Sequence, residues 1–254
     1  MSSRQEPDPS SGGSAPDDPR LTHPGERHDS GHAARLNQLR AGVLGANDGI
    51  LSQAGLLVGI ASATSSTTAI LTAAFAGGTA GALSMAAGEY VSVSSQRDAE
   101  RELIAKEQRE LHEDPEIELA ELAAIYESKG LSTRTAALVA EELTAHDALA
   151  AHLDAELNID PDELTSPVSA AIASAIAFII GSAIPTIAIL LSPVSWRIPA
   201  TAIAVLVALV LTGYTSARLT DSPRVRAVTR LVFFGTLTMA ATYLIGRLFG
   251  ATGF

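Results

Sequence analysis

The sequence predicts an all-α membrane protein in which five transmembrane helices carry a three-helix acidic domain. Three observations predict it. Five apolar runs, at about 39 to 61, 68 to 93, 168 to 192, 198 to 217 and 228 to 249, are each near the roughly 20 residues that a spanning helix needs. The acidity is confined to one block: residues 96 to 166 hold 19 Asp and Glu against 6 Lys and Arg, whereas residues 167 to 254 hold one acid, Asp221, and six arginines. The composition, 47% hydrophobic and only 18% charged over 254 residues with a mean hydropathy of +0.24, is more apolar than that of most soluble chains of this size.

The elements follow in order. Residues 1 to 34 are a polar tail without the apolar stretch of a signal peptide, expected to be disordered and cytoplasmic. Its histidines, His23, His28 and His32, could sample metal, but a flexible His-bearing tail is more often inert. Residues 35 to 95 carry the first two spans, which are rich in Gly, Ala and Ser and hold one acid each, Asp48 and Glu89. Residues 167 to 254 carry the last three, including AAIASAIAFIIGSAIPTIAILL, without a charge; Pro185 is expected to kink it.

Orientation follows from the basic residues of the short connections. Arg35 and Arg40 precede the first span, Arg97 and Arg101 follow the second, and Arg218, Arg224, Arg226 and Arg230 separate the last two. The other connections, SATSSTT and SPVSWR, hold only Arg197. The N-terminus and residues 96 to 166 are therefore expected in the cytoplasm and the C-terminus outside, in the cell membrane. The formal net charge of −11 sits in the cytoplasmic block and excludes nucleic acid as a partner. The absence of cysteine leaves oxygen, nitrogen and thioether atoms as the available metal ligands.

Residues 96 to 166 read as three helices. The first continues from the second span; the next is N-capped at Asp114 with Pro115 at its first position and Gly130 just past its end. The third opens at Ser132, stops near Asp160 and Pro161, and takes an apolar stripe from Leu138, Ala145, Ala148, Leu149 and Leu153.

Two constellations can carry chemistry. Glu107 and Glu110, and Glu118 and Glu121, are i, i+3 pairs that each share a helix face, and His152 and Glu156 lie one turn apart near the end of the third helix. Packed together, such helices offer carboxylates and an imidazole to a divalent ion such as Fe²⁺ or Mn²⁺. The same spacing also suits an acidic face that merely solvates a bundle. In the membrane, Met85 and Glu89 share a face of the second span, and Asp48 interrupts the first. Met85 also suits plain packing, and Glu89 a place near the headgroups. An isolated ionised Asp there costs roughly 2.5 to 3.5 kcal/mol on insertion scales, so it is expected to face a cation, a proton path or a cavity. The flanking Asn47 and Gly49 also suit a helix break.

LRAGVLGANDGILSQAGLLVGI, GGTAGALSMAAGEYVSVSSQRDAE, LVAEELTAHDALAAHLDAELNI and FIIGSAIPTIAILL, together with the Glu-rich helices, resemble the vacuolar iron transporter family, including its bacterial members, from about residue 36 to residue 250. The resemblance implies a homodimer of five-span subunits that moves Fe²⁺ out of the cytoplasm in exchange for protons along a path between the copies; the carboxylate ligands themselves also suit Mn²⁺. The resemblance places the membrane ligands on Asp48 and Met85. Independently of it, Glu89, one turn from Met85, is expected on the ion's approach from the cytoplasm. The resemblance places the cytoplasmic ligands on Glu107, Glu110, Glu118, Glu121 and Glu156. Plant members carry a Met pair where this chain has His152 and Leu153, so His152 is expected to substitute for the thioethers. The ion is transported cargo, and no permanently bound cofactor and no enzymatic activity are expected. The alternatives are a membrane-anchored carboxylate ferroxidase or iron-binding protein, and a passive cation channel.

Overall fold

The computed structural model describes residues 32–159, 165–220 and 222–252. Every regular element among them is helical: α1 (His32–Ala63), α2 (Thr67–Glu113), α3 (Pro115–Ser128), α4 (Thr133–His152) with a π-helical turn (Leu153–Leu157), α5 (Pro167–Leu191), a short 3₁₀ turn (Val194–Trp196), α6 (Arg197–Leu219) and α7 (Arg224–Thr252). The tail through residue 31, with His23 and His28, and the expected stop at Asp160 and Pro161 lie outside the described residues.

Five helices are long and apolar enough to cross a membrane: α1 from Gly42, α2, α5, α6 with the preceding turn, and α7. They are held by α1, which packs against α2, α5, α6 and α7. Ile50, Ala54 and Val58 meet Val205, Ala208, Leu209 and Met239 of α6 and α7. Leu57 meets Ile70, Ala74 and Ile189 of α2 and α5. The outward faces of α5 to α7 expose Ile176, Ile180, Ile203, Phe233 and Leu244, as helices bathed in hydrocarbon do.

Small residues set how closely α1 and α5 approach. A methyl group on Gly49 would run into the carbonyl oxygen of Phe178, and one on Gly181 into that of Ala46, so the two backbones touch where each helix lacks a side chain. The Gly77 and Gly81 pair is divided between partners, Gly77 lying under Leu56 of α1 and Gly81 under the Phe178 ring of α5. α5 continues through Pro185 to Leu191 as one helix.

Two polar ties join the spans. Gln53, buried in α1, donates from Nε2 to the Ala74 carbonyl (2.8 Å) and to Thr186 Oγ1 (3.2 Å), linking three helices where an unpaired amide is costly. Arg197, also buried, donates to the Ser65 carbonyl (3.2 Å) and to Thr67 Oγ1 (2.8 Å). The one arginine of the SPVSWR connection thus fastens the α1–α2 turn.

The acidic block forms helices at the expected places. α2 runs unbroken from the membrane to Glu113. Pro115 opens α3, although Asp114 makes no side-chain cap bond. Gly130 ends it with φ of +103°, a left-handed backbone that glycine adopts without a Cβ penalty. Ser132 Oγ caps α4 by accepting from Thr135 N (3.3 Å). The expected stripe of α4 needs correction: Leu138 and Ala145 are exposed, and the first half of the helix buries Ala136 and Ala140 instead.

Candidate functional site

Three acidic-block helices converge on His152. Its side chain is fully buried, with Glu107 of α2 and Glu118 of α3 exposed by only 2% and 6%. His152 Nδ1 stands 2.9 Å from Glu107 Oε1, 3.6 Å from Glu118 Oε2 and 3.8 Å from Glu156 Oε2. The shortest distance is that of a hydrogen bond, but the ring N–H is not aimed along it. Nδ1, Nε2 and Glu107 Oε1 all remain buried without a hydrogen-bond partner.

Unpaired polar atoms in so dry a cluster are costly, and their chemistry suits a cation. Ligand atoms held at 2.0 to 2.2 Å from one ion stand roughly 3.0 to 3.5 Å apart, close to the separations seen. The donor atoms of Glu107, Glu118 and His152 all lie within 4.8 Å of one another. Burial is the main cause that pushes the Glu107 carboxyl above its ordinary range; the Glu156 carboxylate adds to the shift and His152 opposes it. Glu118 is also raised, first by burial and then by Glu121, again with His152 opposing. A divalent cation reverses this penalty by favouring the ionised carboxylates.

The other expected cytoplasmic ligands lie farther out. Glu156 reaches the rim from the π-helical turn. Glu110 is paired with Lys106 at 2.7 Å on a solvent-facing side, and Glu121 is exposed. Thus each ExxE pair sends one carboxylate inward and keeps one near water.

In the membrane, the exposed residues of α1 between 42 and 62 are Leu44, Asp48, Ser52 and Leu56, spaced four residues apart, while the rest are buried or partly buried. Asp48 therefore opens out of the subunit. Its segment stays helical: the NDG sequence makes no break, and Ser52 Oγ donates to the Asp48 carbonyl at 2.6 Å. Gly77 lies against Leu56, and Gly81 and Gly49 both lie against Phe178. Because the short turn at Thr64–Ser66 makes α1 and α2 antiparallel, these pairs set their register. Counted by helical rise alone, Met85 and Asp48 each lie eight residues, about 12 Å, from the Gly77–Leu56 contact along their own helix, so the antiparallel register puts them at a similar depth. Met85 and Glu89 are half-buried on α2. The groove of about 480 Å³ between α2 and α5 is a different place, lined by residues such as Ala74, Gly78, Ala82, Ile179 and Ala183 and by no acid.

A family model described as the VIT family matches residues 39–247. The chain belongs to the VIT family. Its five apolar helices and this membership make it an integral membrane protein. VIT relatives include the vacuolar iron transporter of Acanthamoeba castellanii, 40% identical over 225 residues covering 88% of this chain and 83% of that protein. Vacuolar iron transporter homolog 2 of Arabidopsis thaliana is 33% identical over 223 residues, covering 87% and 89%. Vacuolar iron transporter homolog 5 of Oryza sativa subsp. japonica is 35% identical over 222 residues, covering 87% and 85%.

Sequence reasoning missed Gln53, Arg197 and Asp147. The last had a local signal: Asp147, followed three residues later by Ala150, makes a cap bond inside α4, but the longer helical pattern hid it.

Proposed function

We propose that the chain transports divalent transition-metal ions, Fe²⁺ and also Mn²⁺, out of the cytoplasm in exchange for protons, along a path between two copies. The observation that carries this reading is the position of Asp48, an exposed carboxylate in line with Leu44, Ser52 and Leu56 on the central helix, whose residues between 42 and 62 are elsewhere buried or partly buried. A span does not turn a carboxylate toward lipid without a partner. In a two-fold dimer the partners are a second Asp48 and a cation between them. Met85, at a similar depth to Asp48, adds a thioether on each side, and Glu89 lies one turn nearer the cytoplasmic end.

Coupling then follows from charge. Two facing carboxylates are neutralised by a divalent ion, and when the ion leaves they repel until one takes a proton. In the cytoplasm, Glu107, Glu118 and His152, with Glu156 at the rim, capture the ion. Glu110 and Glu121 provide an outer acidic approach. The composition of the relatives' name, iron transport, agrees with this cargo. A ferroxidase reading is weaker, because di-iron bundles use Glu-x-x-His pairs and residues 96 to 166 contain none.

The test is ion flux in proteoliposomes with an internal pH probe, using Fe²⁺ and Mn²⁺. Metal-dependent proton movement that Asp48→Ala and Met85→Ala abolish is expected. Metal flux without proton movement would make the protein a channel, and normal transport by both variants would remove the proposed path.

A further inference from the structure

An uninterrupted α4 would not bury His152. Ala136 and Ala140 mark the buried face of its first half. At about 100° per residue, that face continues through Asp147, roughly 20° from Ala136, and Asp154, roughly in line with it, whereas His152 falls roughly 160° away. The opposite is observed: His152 and Leu153 are buried, and Asp147 and Asp154 are exposed.

The phase changes at one residue. Asp147 has φ −158° and ψ 98°, an extended backbone in the middle of the helix. Its Oδ1 accepts a hydrogen bond from Ala150 N at 3.0 Å. A side-chain oxygen that accepts from the backbone three residues on is an N-cap. α4 is therefore two helices, 133–146 and 148–152, and the second starts in a new phase. It passes directly into the turn Leu153–Leu157, which Asn158 closes in the left-handed region at φ 51°.

We propose that Asp147 is a positioning residue that sets the phase of the second half of α4, and so gives the metal cluster its nitrogen donor and part of its ion preference. This rests on the reading of Glu107, Glu118 and His152 as a metal site. Carboxylates alone suit hard ions such as Mn²⁺, and an added imidazole raises the preference for Co²⁺, Ni²⁺ and Zn²⁺. Removing the cap leaves Glu107 and Glu118 in place but withdraws the imidazole, and with it Glu156 from the rim.

The experiment uses the full chain in detergent with Co²⁺ and Mn²⁺ as probes. It compares the native protein with Asp147→Ala, Asp147→Ser, which keeps a capping oxygen, His152→Ala and Glu107→Gln. Asp147→Ala is expected to lose the Co²⁺ over Mn²⁺ preference by about 10- to 100-fold. Its Co²⁺ absorption spectrum should match that of His152→Ala, whereas Asp147→Ser keeps the native preference and spectrum. In the metal-free protein, diethyl pyrocarbonate should modify His152 only in Asp147→Ala, with the exposed His146 as internal reference. Native preference together with a protected His152 in Asp147→Ala overturns the proposal. Co²⁺ binding unaffected by both Glu107→Gln and His152→Ala overturns the metal-site reading and the selectivity claim with it, while His152 modification still decides whether Asp147 sets the phase.

Discussion

Glu107 and Glu110 are three residues apart on one helix, yet one is 2% exposed and the other is paired with a lysine at the surface. The spacing made the pair legible as a shared face. Which member goes inward depends on where α3 and α4 lie, and that is not a local property of ExxE. The place of His152 one turn before Glu156 made it a candidate donor in the sequence, but its complete burial was not legible there. These depths predict graded effects. Glu107→Gln, Glu118→Gln and His152→Ala should each weaken Mn²⁺ or Co²⁺ binding by at least the roughly 10- to 100-fold that loss of an outer partner costs. Glu121→Gln, exposed, should weaken it far less. Isothermal titration on the full chain checks the order, and equal losses at Glu121 and Glu107 would contradict it.

At the scale of elements, the spans were legible because apolar length is a property of consecutive residues, and the caps at Pro115, Gly130 and Ser132 because they are local. The register of α4 was not, since a single Asp147 turn divides one periodic pattern into two phases; the stripe expected from Leu138 to Leu153 crosses that break. The α1–α5 contact offers a stability test. Gly181→Leu should destabilise the protein by at least about 1 to 3 kcal/mol, because its side chain meets the Ala46 carbonyl, while Gly88→Ala, with open space around it, should change little; thermal unfolding in detergent compares them. The acidic helices offer a test with pH. Glu107 and Glu118 are raised above the ordinary 4.5, chiefly by burial, so over the interval above that value the folded state holds protons that the unfolded chain has released. Stability of the metal-free protein should therefore fall as pH rises through that interval. A divalent ion needs the ionised carboxylates, so the rise in Tm on adding Mn²⁺ should be larger at pH 7 than at pH 5. A metal-induced rise that shrinks with pH would contradict the cluster.

For the whole molecule, the proposed path requires two copies to meet along the open stripe of α1, and the chain supplies a clean way to test it. It has no cysteine, so a single introduced thiol reports on one place. Ser52 lies one turn from Asp48 on that stripe. If two-fold symmetry brings the stripes together, Ser52→Cys on one copy faces the same residue on the other, and oxidation in the membrane should give a disulfide-linked dimer, which requires Cα atoms within about 7 Å. Ile180→Cys, on the outward face of α5 and 62% exposed, is the matched control and should remain monomeric on a denaturing gel. Divalent ions should alter the rate of the Ser52 crosslink and not that of a remote site, because the proposed ion lies between the adjacent Asp48 carboxylates. Crosslinking at Ile180 instead of Ser52 would place the dimer contact on α5 and leave Asp48 without the partner that the proposed exchange of metal for protons requires.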